Sequence, residues 1–172
     1  IRSRRGKTVS CDKLILAGGG KSYPALGSNG SLYAFAKEFG HNIIEPVPIA
    51  VPLIVKDMLC HLLQGQKIQA QAKSVIDGKI ASEASGDLLF TQYGLSGTAV
   101  IDISEAISIA VNRNKKKDAV VLADMVPFID KAALEKEIGR RIHSGLSGED
   151  IIAGILPNKF GFALKELLGG RD

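Results

Sequence analysis

The apolar run Leu14-Ile15-Leu16-Ala17 ends in Gly18-Gly19-Gly20-Lys21-Ser22-Tyr23-Pro24, a pattern that predicts a buried strand breaking into a tight turn. Glycines at the carboxyl end of a strand let the backbone approach a ligand and present N–H groups to it, which is how open α/β sheets hold phosphates. A second cluster, Thr91-Gln92-Tyr93-Gly94-Leu95-Ser96-Gly97, follows the apolar Leu88-Leu89-Phe90. Its hydroxyls, amide and hinge glycines can line a pocket, or can simply brace a hairpin through their own hydrogen bonds.

Gly20-Lys21-Ser22 copies the end of the Walker A phosphate loop, but the rest of that pattern is missing. Ile15 stands where its first glycine is needed, and Pro24, Gly27, Ser28 and Gly30 interrupt the helix that should open at the Lys-Ser pair. Val120-Val121-Leu122-Ala123-Asp124 imitates a Walker B strand only as any apolar strand ending in an acid does. The glycine turn is therefore either a cofactor-facing strand end or a bend whose glycines serve geometry alone.

Other reactive residue types are scattered. His41, His61 and His143 lack metal-ligand spacing, and Cys11 and Cys60 form neither a C-x-x-C pair nor a disulfide framework. Glu83 and Asp87 form a lone acidic pair on a hairpin, which reads as solvated. Basic residues gather at Arg2, Arg4, Arg5 and Lys7 and at Lys115-Lys116-Lys117, without interleaved aromatics, so nucleic acid is not an expected partner. With 45% hydrophobic residues, no tryptophan and a formal charge of +4, the 172 residues suit a soluble core of Ile, Leu, Val and Ala. No apolar run approaches the roughly 18 residues of a membrane span, and the amino end lacks signal-peptide regions. A cytoplasmic location with reduced thiols is the expectation.

Three ordered motifs carry a family resemblance. They are Cys11 to Pro24 with Gly27-Ser28-Asn29-Gly30 and Ala36-Lys37-Glu38-Phe39-Gly40-His41; Leu88 to Gly97; and Leu156-Pro157-Asn158-Lys159-Phe160. Together they resemble the bacterial aminoacetone-oxidase-like flavoproteins, also described as NAD(FAD)-utilising dehydrogenases. The resemblance implies FAD as cofactor, NAD(P)H as a candidate reductant and an unidentified small-molecule substrate. It implies cofactor contact at Ala17, Gly18, Gly19, Lys21, Ser22 and Tyr23, chiefly through backbone, and a substrate side at Thr91, Gln92, Tyr93, Gly94 and Ser96. It identifies no catalytic residue.

The chain departs from that family where its Thr-Gly-Gly becomes Ala17-Gly18-Gly19-Gly20, where Ser31 replaces an acid, and where Gln92 stands for a frequent histidine. It also contains no G-x-G-x-x-G. The expectation is a central fragment of an FAD-dependent oxidoreductase whose partners include the missing amino- and carboxyl-terminal parts of the same protein. The rival is a non-enzymatic binding or regulatory module with a purely structural glycine turn.

The expected fold class is α+β. Residues 1–45 read as part of a Rossmann-like FAD domain, with strands at 6–9, 13–17 and Ile43-Ile44 and a helix from Ser31 to Phe39 stopped by Gly40. Pro46, Pro48 and Pro52 mark a boundary. Residues 46–128 read as a β-rich, barrel-like insert with one or two short helices. There Ile68, Ala70 and Ala72 alternate with Gln69, Gln71 and Lys73, Asp77-Gly78 signals a hairpin, and Ala119 to Leu122 is a strand. Residues 129–172 read as a small helical subdomain. Asp130 caps a helix striped by Leu134, Ile138 and Ile142, Ser147 caps a second, and Phe160, Leu164, Leu167 and Leu168 mark a third, stopped by Gly169-Gly170.

Overall fold

The computed structural model describes residues 6–146 and 148–167. The basic Arg2, Arg4 and Arg5, the Ser147 cap, Leu168 and the Gly169-Gly170 stop lie outside the described residues. The chain divides into two units, Ile1–Pro46 and Val47–Asp172.

The first unit contains a 3₁₀ turn at Pro24–Leu26 and helix α1, Leu32–Glu38. Its carboxyl end is closed by Gly40 N–H to Lys37 C=O at 2.9 Å and His41 N–H to Ala36 C=O at 3.0 Å. Both bonds satisfy carbonyls that the last helical turn leaves free. His41 thus caps through its backbone. The expected strands at 6–9, 13–17 and Ile43-Ile44 do not form among the described residues. A strand needs a lateral hydrogen-bonding partner and cover for its apolar face; Ile15 is 89% exposed, so it has no such cover. Among the described residues of the Rossmann-like piece predicted here there is accordingly no sheet.

The second unit is built on a five-stranded antiparallel sheet. Its strands are β1 (Leu53–Ile54), β2 (Lys67–Ile76), β3 (Lys79–Thr91), β4 (Gly94–Ser96) and β5 (Ala119–Asp124), in the order β1-β4-β3-β2-β5. Two positive-φ residues, Asp77 and Gly78, make the two-residue turn between β2 and β3, as the Asp-Gly signal requires. The alternation in β2 places Ala70, Ala72 and Ser74 inward. Ser74 is fully buried, and its hydroxyl is paired with that of Ser82 at 2.6 Å, so the polar group costs little there.

Helix α2 (Met58–Leu62) opens on Asp57, whose Oδ1 accepts from Leu59 N–H at 2.8 Å. Helix α3 (Thr98–Ser108) lies against β2 and β3 and continues into a π turn at Ile109–Arg113. The small Ala72 and Ala99 let α3 approach the sheet, with Ile103 filling the contact. The main core joins Cys60, Leu63, Leu88, Phe90, Leu95 and Val100 to Phe160 and Ala163.

Those last two residues belong to α5 (Asn158–Leu167), which follows α4 (Lys131–His143) and a 3₁₀ segment at Gly148–Ile152. Phe160 meets Phe90 edge-to-face, with ring centroids 5.7 Å apart, and so ties the helices to the sheet. Asp130 caps α4 as its position predicts, accepting from Ala132 and Ala133 N–H at 2.9 and 3.2 Å. No residue of α4 is buried, and Ile142 of its apolar stripe is 54% exposed. The result is a mixed α and β fold whose sheet curls into a half-barrel, with helices gathered after it.

Candidate functional site

In the first unit, the glycine turn folds back on the loop that precedes α1. The Gly20 carbonyl accepts from Gly30 N–H at 2.8 Å and from Ser28 Oγ at 2.9 Å, and Tyr23 pairs with Ser28 in an isolated antiparallel bridge. A Cβ at Gly18 would run into the Leu32 side chain, and one at Gly20 would come within 2.9 Å of Tyr33 Oη. The turn and α1 are therefore mutually fitted, and the glycines have a packing reason of their own.

Ala17, Gly18, Gly19, Lys21, Ser22 and Tyr23 are all exposed. They share one loop, so the structure keeps the six predicted cofactor-side residues together. Lys21 donates from Nζ to Glu45 Oε1 at 3.0 Å, and that ammonium holds the Glu45 carboxyl below its usual range. A lysine so paired is a weak phosphate ligand, which agrees with the failed Walker A comparison. What the loop offers a ligand is backbone, the Ser22 hydroxyl and the Tyr23 ring.

In the second unit, residues 91–97 form the corner from β3 through β4 into α3. Thr91 Oγ1 donates to Gly94 C=O at 3.0 Å, and Val55 N–H donates to Tyr93 C=O at 3.0 Å. Gly94 faces the β1 backbone, where a Cβ would overlap Leu53 O and reach Val55 N at 2.5 Å. Gly97, with φ +94°, presses against the Asp87 carbonyl. Ser96 pairs with Leu89 in the ladder. Thr91, Gly94 and Ser96 thus hold the corner together, while Gln92 and Tyr93 project from it, Tyr93 being 53% exposed.

Neighbouring polar groups are engaged in structure. Asp87 bonds Lys67 at 3.1 Å and also Gln69, and its backbone N–H donates to Thr98 Oγ1 at 2.9 Å; Glu83 pairs with Lys73 at 3.2 Å. Lys116 pairs with Asp77 at 2.7 Å, and Lys115 Nζ donates to Asn112 C=O at 2.6 Å, so two of the three clustered lysines fix the approach to β5. His61 and His143 sit on α2 and α4 and His41 in the loop after α1, and no group of metal-ligating side chains is present among the described residues.

Sequence reasoning missed a cavity of about 470 Å³ lined by β1, α2, the ends of β3 and β4, and β5. Leu53, Val55, Leu88, Phe90, Val121 and Ala123 give it an apolar wall that includes Cys60. Burial, followed by the nearby Asp57 carboxylate, pushes the Cys60 thiol up, so it stays neutral and a poor nucleophile near neutral pH. The unbroken apolar run of β5 was the available signal for this cavity.

Residues 47–171 match the family described as the HI0933-like protein barrel and H2TH domain. Among curated proteins, the chain is 30% identical over 164 residues to the 3-dehydro-bile acid delta(4,6)-reductase of Clostridium scindens, covering 94% of this chain and 40% of that protein. It is 32% identical over 162 residues to the ribosomal RNA dihydrouridine synthase of Escherichia coli, covering 94% and 38%. The corresponding synthase of Haemophilus influenzae is 33% identical over 96 residues, covering 55% and 23%. The chain therefore spans about two fifths of the length of the first two relatives.

Proposed function

The chain belongs to the HI0933-like family, and from that membership we propose that it is the central part of an FAD-dependent oxidoreductase that reduces a carbon–carbon double bond conjugated to a carbonyl. The observation that carries this reading is what the two relatives' names share. A delta(4,6)-reductase and a dihydrouridine synthase both turn an unsaturated, carbonyl-conjugated substrate into a more saturated one.

Reduced FAD, when bound, supplies the hydride. The chain's own residues bind and orient. The exposed backbone of Ala17, Gly18 and Gly19 contacts the cofactor, and Ser22 and Tyr23 flank it. Lys21 stays with Glu45 and grips no phosphate. Gln92 and Tyr93 are the side chains of the β3–β4 corner free to meet substrate. A phenol such as Tyr93 can donate a hydrogen bond to a substrate carbonyl, favouring hydride arrival at the far end of the conjugated system. Thr91, Gly94 and Ser96 position that pair without touching substrate.

On this reading NAD(P)H is a candidate external reductant, the remaining parts of the polypeptide complete the cofactor site, and the free Cys11 and Cys60 suit the cytoplasm. Among the described residues no helix is long and apolar enough to cross a membrane. On this reading nucleic acid is not a partner, although the names of two relatives specify ribosomal RNA.

One observation favours a second reading. The packing of Leu32 and Tyr33 against Gly18 and Gly20 accounts for those glycines without a ligand, as a purely structural turn in a non-enzymatic module would. Expression of the complete coding sequence separates the two. Purified protein with stoichiometric flavin whose absorbance, bleached on reduction, is restored by an enone substrate supports the oxidoreductase, and folded protein that neither carries nor takes up flavin favours the module.

A further inference from the structure

The cavity of about 470 Å³ in the second unit is not used by the proposed reaction, and its walls have a distinct chemistry. Apart from Lys56, Asp57 and the Cys60 thiol, every residue that lines it is apolar, and Phe90 is the one ring among them. Phe90 is buried and already packed edge-to-face on Phe160, so a flat heteroaromatic ligand finds no open face on which to stack. No buried side-chain nitrogen or oxygen lacks a hydrogen-bond partner among the described residues. The side chains of the interior therefore call for no polar group in an occupant. What such walls accept is aliphatic chain, and the volume lies within the range of about 300–1,000 Å³ that small-ligand pockets occupy.

The mouth is different. Ile54 and Val120 line the cavity and yet are 81% and 46% exposed, so they stand where it opens to solvent. Lys56 and Asp57, both exposed, are its charged lining residues. Asp57 is committed to α2, its Oδ1 accepting from Leu59 N–H at 2.8 Å. Lys56 forms no ion pair among the described residues. A lysine can lay its stem along apolar surface while the ammonium stays in water, which suits an anionic group held at the mouth of an apolar cavity.

We infer that this cavity binds an alkyl carboxylate of medium chain length, with the chain among Leu53, Val55, Leu88, Phe90, Val121 and Ala123 and the carboxylate on Lys56 at the mouth. The aliphatic walls select the tail, and charge complementarity selects the head. Cys60 marks the inner wall. It lines the cavity while only 4% exposed, so an occupant shields it from a thiol reagent. The site stands apart from the oxidoreductase reading and requires no flavin.

Titration calorimetry of the complete protein with octanoate, decanoate and dodecanoate, each below its micelle concentration, tests this. Saturable binding at a single site is expected, with affinity rising about threefold to fourfold for each methylene that enters the cavity. Decanol, which has the chain without the charge, should bind about twofold to fivefold more weakly than decanoate, and Lys56→Met should remove that difference. Peptide mass spectrometry gives a second readout. At about ten times its Kd, decanoate should slow alkylation of Cys60 by iodoacetamide about tenfold and leave the exposed Cys11 unaffected. Ala123→Phe fills the cavity and should abolish binding; Lys56 is exposed, so Lys56→Met tests the head group even where the larger core side chain prevents folding. Absence of saturable binding overturns the inference, and another part of the polypeptide seated in the cavity would give that result. Equal affinity along the alkyl series, equal affinity for decanol and decanoate, or binding that leaves Cys60 alkylation unchanged overturns it as well.

Discussion

Gly97 carries two constraints at once: its φ of +94° lies where a side chain is strained, and the Asp87 carbonyl occupies the place of a Cβ. The neighbour is backbone held in the β2–β3 ladder, so it cannot move aside as a flexible side chain would. Gly97→Ala is expected to destabilise the protein by about 2–4 kcal/mol, read as a shift in urea midpoint at unchanged slope. A loss under about 1 kcal/mol would mean that the corner relaxes and is not a rigid support. Gln92 and Tyr93, by contrast, hold nothing in place by their side chains. Tyr93→Phe should change stability by less than about 0.5 kcal/mol while lowering kcat/KM for an enone substrate in the complete enzyme by about tenfold or more. Unchanged turnover would remove Tyr93 from the substrate side and leave the motif purely architectural.

Among the elements, α4 and the 3₁₀ segment after it are joined mainly by one side chain. Arg141 donates from Nη1 to the carbonyls of Ile151 at 3.0 Å and Ala153 at 2.7 Å, while Glu137 Oε1 fixes its Nε at 2.7 Å. Arg141→Met keeps the aliphatic stem but strands two carbonyls, and should cost about 2 kcal/mol. Arg140 and Arg141 together draw the Glu137 carboxyl down to about 2 from an ordinary 4.5. Its contribution is therefore whole above pH 4.5 and is lost as pH falls from there towards 2. Glu137→Gln should flatten that acid limb of the stability curve without altering the neutral-pH slope, and an identical acid limb in the variant would assign the loss to other carboxylates. Much of this architecture was legible in the sequence, because it depends on local rules. The Asp77-Gly78 turn, the alternation of β2 and the Asp130 cap each act within a few residues. The length of α3 was not legible, since its buried face repeats through Ala99, Ile103 and two serines, Ser104 and Ser108, whose burial depends on partners distant in sequence. Ser104, for example, receives Val51 N–H at 3.2 Å.

At the scale of the whole molecule the two units differ in what can hold them together. Every buried residue among those described lies in the second unit; the first has a seven-residue helix and leaves Leu14, Ile15, Leu26, Phe35, Phe39 and Ile44 more than 40% exposed. This is where sequence reasoning failed most. Leu14 to Ala17 has the composition of a buried strand, but burial depends on what surrounds a segment, and no neighbouring strand exists among these residues to pair with it. A piece of roughly 40 residues cannot offset its conformational entropy without buried apolar area. In the isolated chain, amides of α1 and of the Gly18–Gly30 clasp should therefore exchange within seconds, while those of β2 and β3 persist for far longer. Limited proteolysis should correspondingly erode the chain from its amino end to the proline-rich stretch at Pro46, Pro48 and Pro52 and leave a resistant product beginning near Val47. In the complete enzyme the same amides should become slow, because the proposed FAD domain supplies the cover that Ile15 and Phe39 lack. Slow exchange of α1 already in the isolated chain would show that these forty-odd residues carry their own stability, and the glycine turn would then need no other part of the protein to hold its shape.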